Sequence, residues 1–503
     1  MKFYITTPIY YVNDRPHIGH VYTTTIADIV ARYHRLCGDE VFFLTGTDEH
    51  AAKVVDSAAE HGVTPQRWAD QNARAFQETF AKLGISNDDF VRTSQQRHKE
   101  KVEQYVGELL KTGDVYLGEY EGWYDVGQEE YVPENKAKEF DYKSPVNGKP
   151  LVRRKEKNYF FRLSKYSDAL VRLLEQRPEF VRPDARRNEV IGRIREGLND
   201  VPISRTGERE WGIKVPGDDK HVIYVWIDAL FNYLSIVDND ERRKFWPADV
   251  HLIGKEILWF HGVIWPAMLI ALKRELPRQI YAHSFWISEG QKMSKSLGNF
   301  IDLEKIDHYV ATFGLDAFRY FLARYGPLGI NDSDFAEARF IEVYEAELAD
   351  KLGNLVNRTL TMVQRYRGGI VPKSADADLR GEAQQMIAAY RERLDKLDLT
   401  AALEALWGFV TRANQFVEES APWKLAKDPA SEPRLDAVLY SLAESVRLIG
   451  VLVTPFIPTI AGQIREQLGV DQKIAVLDSE IRWGGLAAGT RVGTITPLFP
   501  KKA

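Results

Sequence analysis

Phe3-Tyr4-Ile5-Thr6-Thr7, then His17-Ile18-Gly19-His20, then Val41-Phe42-Phe43-Leu44 running into Gly46-Thr47-Asp48-Glu49-His50: read together, these stretches decide the fold. The first and third are apolar runs of strand length. Between them a loop with Pro8, Asn13, Asp14 and Pro16 gives way to Ile18, Tyr22, Ile26, Ile29, Val30 and Tyr33 at helical spacing, and Gly38 is placed to end the helix. Strand, helix, strand in this order is a β-α-β unit, with ligand groups expected at the carboxyl ends of its strands. The pattern resumes at Val222 to Ile227, at Val250 to Ile253 and at Gln279 to Trp286. The spacing therefore predicts an α/β fold with a Rossmann-like parallel sheet, split by an insertion over 116–214 rich in Tyr, Glu, Lys and Pro. From Phe335 onward the pattern is that of long amphipathic helices. One stripe runs from Phe340 to Val363, with Asp332, Ser333 or Asp334 available as its N-cap. Others cover 380–395, 399–419, 434–453 and 457–468, with breaks at Gly368-Gly369, Pro422 and Pro455. This is a separate all-α domain.

The chain has 503 residues, which calls for more than one domain. No apolar run reaches the roughly 20 residues of a membrane span, and the first strand begins too early to leave room for a signal peptide. A single cysteine, Cys37, excludes an internal disulfide or a Cys-rich zinc site and fits a reducing cytoplasm. The net charge of −5 gives no overall attraction for nucleic acid. An RNA partner would need local basic stripes, such as Arg153-Arg154-Lys155 with Lys157, or Arg186-Arg187 with Arg193 and Arg195. Such a stripe also suits a plain solvated face.

Two clusters carry the chemistry. His17 and His20 lie three apart at a loop-to-helix transition, where unpaired N–H groups and the helix dipole favour a phosphate. Gly19 between them lets a flat base or ribose approach the backbone. Read alone, histidines at a helix start also serve as caps. The second cluster is Lys292-Met293-Ser294-Lys295-Ser296, bracketed by Gly290 and Gly298 in a loop able to close over its ligand. Its two lysines supply point charges for a triphosphate. When a carboxylate attacks the α-phosphorus of ATP, negative charge builds on the departing pyrophosphate, and fixed positive donors there stabilise the transition state.

The pair, in this order, resembles the signature of class I aminoacyl-tRNA synthetases. Four further stretches resemble the methionyl-tRNA synthetases among them: Thr7-Pro8-Ile9-Tyr10-Tyr11-Val12-Asn13, Gly46 to His50, Val225-Trp226-Ile227-Asp228-Ala229-Leu230, and Gly254-Lys255-Glu256-Ile257 on to Trp265-Pro266. The resemblance implies a catalytic domain over 1–115 and 215–287, and an inserted connective domain over 116–214. A mobile Lys-Ser loop with a stem-contact region would follow over 288–333, and a helical anticodon-binding domain over 334–503. It implies that Asp48 holds the methionine ammonium group. Ile9, Tyr11, Trp226, Ala229, Leu230, Tyr233, Ile257, Phe260, His261 and Trp265 would form the side-chain pocket, suited to a thioether among aromatic rings. ATP, with Mg²⁺, would be held by His17, Gly19, His20, Gly254, Glu256, Lys292, Met293 and Lys295. Asn354, Arg358 and Trp423 match the family's anticodon-reading residues: an amide and a guanidinium read base edges, and an indole offers a stacking surface.

Two departures from the family pattern matter. Many relatives carry paired Cys-x-x-Cys zinc knuckles in the insertion, where this chain has Asp125 with Gln128 and Ser144 with Asn147, a poor tetrahedral zinc set. No zinc is expected. Residues 424–503 are largely consumed by helices, so a further carboxyl-terminal RNA-binding domain is not expected, and a monomer is. The implied activity is methionine–tRNA ligation: methionine plus ATP gives methionyl-adenylate and pyrophosphate, and methionine then passes to the terminal adenosine of tRNA(Met). The alternatives are another class I synthetase, a catalytically silent tRNA-binding paralogue, or a small-metabolite adenylyltransferase. The branched-chain siblings need an editing insertion with no room here. Intact His17, His20, Lys292, Lys295 and Asp48 weigh against the silent paralogue, and the helical domain against the adenylyltransferase.

Overall fold

The structure is a computed structural model and describes residues 1–13, 15–126, 130–132, 134–206, 211–293, 298–373, 378–471 and 473–501. Its centre is a six-stranded parallel sheet in the order Asp89–Arg92, Glu40–Asp48, Lys2–Tyr11, Val250–Gly254, Gln279–His283, Val181–Arg182. Helices cover both faces, so the central strand is buried from Phe3 to Thr7 without alternation. Lys2–Tyr11 pairs with Glu40–Asp48 from Lys2↔Glu40 to Tyr11↔Asp48, with a slip between Thr6 and Ile9. Pro8, which has no N–H to give the ladder, lies in that slip. Gly46 is needed where it stands: a Cβ there would lie 2.0 Å from the Val91 carbonyl oxygen.

Four sequence expectations are corrected. Val222–Ile227 is not a strand of the parallel sheet. Asp218–Ile223 belongs to a small antiparallel sheet with Lys214–Val215 and Ser204–Thr206, and Val225–Leu230 is a helix. A short continuous apolar run fits a buried helix as well as a strand, and tertiary context chose here. Val181–Arg182, inside the stretch read as an insertion, forms the edge of the parallel sheet beside Gln279–His283. Trp286 does not continue that strand; Trp286–Ile287 pairs with Ser333–Asp334. That pairing uses the residues expected to cap the next helix. The helix begins at Glu337 with no side-chain cap of its own, and the Glu289 carboxylate accepts the Glu337 N–H at 3.3 Å instead.

The remainder of the insertion is built on an antiparallel sheet ordered Glu130–Val132, Val115–Asp125, Val152–Phe161, Val201–Pro202. The carboxyl-terminal helices Asn354–Arg367, Arg380–Asp395, Leu399–Ser420, Glu432–Leu452 and Pro458–Leu468 form a bundle around the third and fourth of these, as the periodicity predicts. The stretch after it folds back on the bundle. Buried Glu444 accepts backbone N–H groups of Gly484, Gly485 and Leu486 at 2.7–3.0 Å and pairs with Arg447, which donates to the carbonyls of Glu480 and Arg482. A second buried charge joins bundle to sheet. Arg319 bonds Asp28 of the opening helix at 2.6 Å and donates to the Phe456 carbonyl at 3.0 Å. No helix among the described residues is long and apolar enough to cross a membrane.

Candidate active site

His17 caps the helix Ile18–Leu36, and the arrangement is reciprocal. Its Nδ1 accepts the Gly19 N–H at 3.1 Å, while its own backbone N–H donates to His20 Nδ1 at 3.3 Å. The capping role is therefore real, and it has a chemical consequence. With both Nδ1 atoms accepting, each ring keeps its proton on Nε2, so two N–H donors stand side by side with ring centres 3.9 Å apart. Burial, reinforced by the neighbouring His17, holds His20 well below the usual imidazole range, so this donor is neutral. Gly19 admits no side chain at no cost: a Cβ would lie 3.0 Å from His17 Cε1.

The chain that leaves the lysine loop docks on this cap. Ile18 donates its N–H to the Ile301 carbonyl at 3.1 Å, and the Phe300 ring sits edge-on to His17 at 5.2 Å. Lys292 is exposed and Met293 packs against the central core. Lys295 lies outside the described residues. Asn299 holds the base of the loop, donating to the carbonyls of Ser288 and Lys292 at 3.2 Å. A cleft of about 640 Å³ opens at that base, but its Glu289, Glu304 and Glu337 make it unsuited to a triphosphate. Gly254 ends its strand at the same edge of the sheet, and Glu256 follows with its carboxylate folded over the glycine; a Cβ on Gly254 would meet Glu256 Oε2 at 2.4 Å.

Asp48 ends its strand directly across from Tyr11 and is 2% exposed. Tyr11 stands edge-on to Trp226 at 6.0 Å, and Trp226 stacks flat on Phe260 at 3.9 Å. Ile257 is half-buried beside them, and Ile9 packs at the edge of the Tyr4–Phe42–Leu44 cluster. His261 Nδ1 lies 2.9 Å from the Ile257 carbonyl and must carry the proton, so its Nε2 accepts the Tyr233 hydroxyl at 2.7 Å. Burial pushes the His261 imidazole down to about 4, against the pull of the Ile257 carbonyl, so the pair is uncharged. Ala229, Leu230 and Trp265 are buried and back this layer, Trp265 against Phe231 and Tyr233. Regular helical spacing is not kept from Ile257 to Trp265, because a wide turn over Phe260–Ile264 separates a tight turn from the helix Trp265–Ala271. Such turns concentrate at functional sites.

Elsewhere, Asn354 is exposed at the start of its helix, and Arg358, one turn on, bonds Glu418 at 2.7 Å. Glu418 lies near the end of the helix that leads into Pro422 and the exposed Trp423, so the three residues share one end of the bundle. Most residues of the basic stripes have partners in the fold, several of them at the exposed surface. Arg153 pairs with Glu121 and Lys155 with Glu119; Arg186 and Arg187 donate to the carbonyls of Ile330 and Pro178; Arg193 covers Trp259 at 3.7 Å, and Arg195 pairs with Glu175. Where many relatives carry a zinc knuckle, the Ser144 hydroxyl accepts the N–H groups of Val146 and Asn147 at 3.2 Å, and Asn147 accepts that of Lys149. These hydroxyl and amide oxygens do not fit zinc, Asp125 is buried, and Gln128 lies outside the described residues. Among the described residues no group of three or more His, Cys, Asp or Glu could hold a metal. Sequence reading passed over His98 and the role of Asp228. His98 gave no signal, sitting in a polar helix that the first strands alone do not bring near the site.

A family model described as tRNA synthetases class I (M) matches residues 3–140 and 135–360, and one described as the anticodon binding domain of methionyl tRNA ligase matches 368–503. The chain is 46% identical to the methionine–tRNA ligase of Caldanaerobacter subterraneus subsp. tengcongensis and 44% identical to that of Bacillus subtilis, covering 99% of this chain and 78% of each relative. The solved Mycobacterium tuberculosis methionyl-tRNA synthetase in complex with methionyl-adenylate superposes with a TM-score of 0.92 at 37% identity, covering 100% of both chains. By its sequence over its whole length, by its split parallel sheet and by its helical bundle, the chain belongs to the methionyl-tRNA synthetases of class I.

Proposed function

We propose that the chain is an ATP-dependent methionine–tRNA ligase. The methionine carboxylate attacks the α-phosphorus of ATP, the bond to the bridging oxygen breaks and pyrophosphate leaves. A ribose hydroxyl of the terminal adenosine of tRNA(Met), the 2′-hydroxyl by class I practice, then attacks the adenylate carbonyl and AMP leaves. No side chain need form a covalent bond; positioning and fixed charge do the work. The observation that supports this reading is the seating of Phe300 and Ile301, just past the lysine loop, on His17 and Ile18.

In this reading the Nε2–H donors of His17 and His20 face the triphosphate. Gly19, Gly254 and Glu256 take the adenosine, with the Glu256 carboxylate accepting from the ribose hydroxyls. Lys292 and Lys295 neutralise the departing pyrophosphate beside Met293; one such donor is worth on the order of 10²–10³ in rate. Mg²⁺ enters on the triphosphate as part of the substrate. Asp48 holds the ammonium group, and Tyr11, Trp226, Ile257, Phe260, Tyr233 and His261, with Ile9, Ala229, Leu230 and Trp265 around them, take the thioether. Asn354, Arg358 and Trp423 read the anticodon. The protein works as a monomer in the cytoplasm, the compartment being supported by the lone Cys37. Pyrophosphate exchange with each common amino acid tests the assignment. Exchange should be strongest with methionine; a stronger response to any other amino acid would overturn it.

A further inference from the structure

Glu49, His50 and Asp228 fall within the stretches that resemble the family, yet the ligand sites above leave them without a role. Glu49 and Asp228 are buried and His50 is partly so, and Glu49 and His50 directly follow Asp48 in the chain. The Glu49 carboxylate takes Arg92 Nε at 2.7 Å and Nη2 at 3.0 Å, and the Thr47 hydroxyl at 2.8 Å, which pins the end of its strand to the neighbouring strand. On the other side His50 Nδ1 lies 2.7 Å from Asp228 Oδ2, and His98 Nε2 lies 2.8 Å from Asp228 Oδ1. His98 Nδ1 reaches the Ser235 hydroxyl at 2.8 Å. Asp228 is 1% exposed, His98 fully buried and Ser235 nearly so.

Both ring nitrogens that face the carboxylate must carry protons, so Asp228 accepts two charge-assisted bonds from different elements. The elements it joins are telling. His50 continues the strand that ends in Asp48, and Asp228 stands in the helix Val225–Leu230 that presents Trp226. His98 comes from the helix Gln96–Lys111 behind them. We propose that the His50–Asp228–His98 chain is a positioning device that fixes the distance between the ammonium anchor at Asp48 and the aromatic wall at Trp226 and Phe260, and so sets the side-chain length the enzyme accepts. None of the three touches the reacting atoms; each acts through Asp48 or Trp226. A length gauge is useful because an apolar pocket by itself separates one methylene by only about 10–200-fold.

The inference rests on the ligase reading, and methionine-dependent pyrophosphate exchange by the unaltered protein tests that reading separately. Exchange kinetics of Asp228→Asn and His50→Gln, run with methionine and with its one-carbon-longer homologue ethionine, test the gauge. Methionine KM should rise by about tenfold or more, as expected for a shift of a fraction of an ångström. The KM for ATP should stay within about twofold, and the ethionine-to-methionine ratio of kcat/KM should rise. If Asp228→Asn does not fold, His50→Gln and His98→Gln carry the test alone. An unchanged ethionine-to-methionine ratio in folded variants, or a loss of kcat with both KM values unaltered, would reduce the network to a structural tie and overturn the proposal.

Discussion

Gly19 shows how little room the paired histidines leave. A methyl group there would press on His17 Cε1 at 3.0 Å and Nδ1 at 3.2 Å, turning the ring and spoiling the bond that keeps its proton on Nε2. Gly19→Ala should lower the rate of pyrophosphate exchange by about 10–100-fold, since small misplacements of catalytic groups are this costly. Methionine binding, followed by equilibrium dialysis, should hardly change; exchange within twofold of the unaltered enzyme would mean that the ring is not fixed by its cap. Tyr233→Phe makes a different point. It leaves His261 Nε2 buried with no donor, an omission worth about 1–3 kcal/mol. Part of that should appear as a lower melting temperature and part as weaker methionine binding, and calorimetric titration would find neither if the hydroxyl is idle.

At the scale of elements, the carboxyl end of Glu40–Asp48 is held by charge on both sides, by Arg92 through Glu49 and by Asp228 through His50. Burial alone would raise the Asp228 carboxyl, but His50 and His98 outweigh it and hold it down to about 2. The sign follows directly. A carboxyl depressed in the folded state adds stability that is fully present above its ordinary value of 3.8 and is lost as pH falls toward about 2. Denaturant unfolding should therefore find the unaltered protein ahead of Asp228→Asn at neutral pH. The gap should close between those two values; a gap independent of pH would show that charge is not what the histidines recognise. The same elements explain how Val222–Ile227 misled the sequence reading. The run is apolar throughout, and only the packing of Ile227 and Leu230 under the sheet, with Asp228 turned to the histidines, makes its second half a helix.

Over the whole molecule, Arg319 is the joint between catalytic sheet and helical bundle. It is 1% exposed, bonded to Asp28 in the helix that His17 caps and to the Phe456 carbonyl at the turn before Pro458–Leu468. Arg319→Met removes one partner of a buried pair and leaves Asp28 with Arg32 and Ser86 alone, which should cost about 3–5 kcal/mol in chemical unfolding. A cost below about 1 kcal/mol would mean that water replaces the guanidinium. Trp423 tests the far end. Trp423→Ala should leave pyrophosphate exchange intact and impair charging of tRNA; unimpaired charging would remove the indole from RNA recognition.

The sequence by itself determined the β-α-β start, the last four helices of the bundle to within a residue or two, and the residue types at each cluster. These rest on local periodicity, caps and spacing, which a chain carries wherever it folds. His17 and His20 stood out for that reason, at the start of a helix, whereas Asp48 at its strand end was singled out by the family resemblance. Only the tertiary structure decided that Val181–Arg182 joins the parallel sheet, that Ser333–Asp334 pairs with Trp286–Ile287 instead of capping a helix, and that most residues of the basic stripes are spent on carboxylates, carbonyls and an indole. It alone brought His98 to Asp228 across 130 residues of chain. Such partners are chosen by burial, where an unpaired charge is too costly to leave, and burial is a property of the assembled fold.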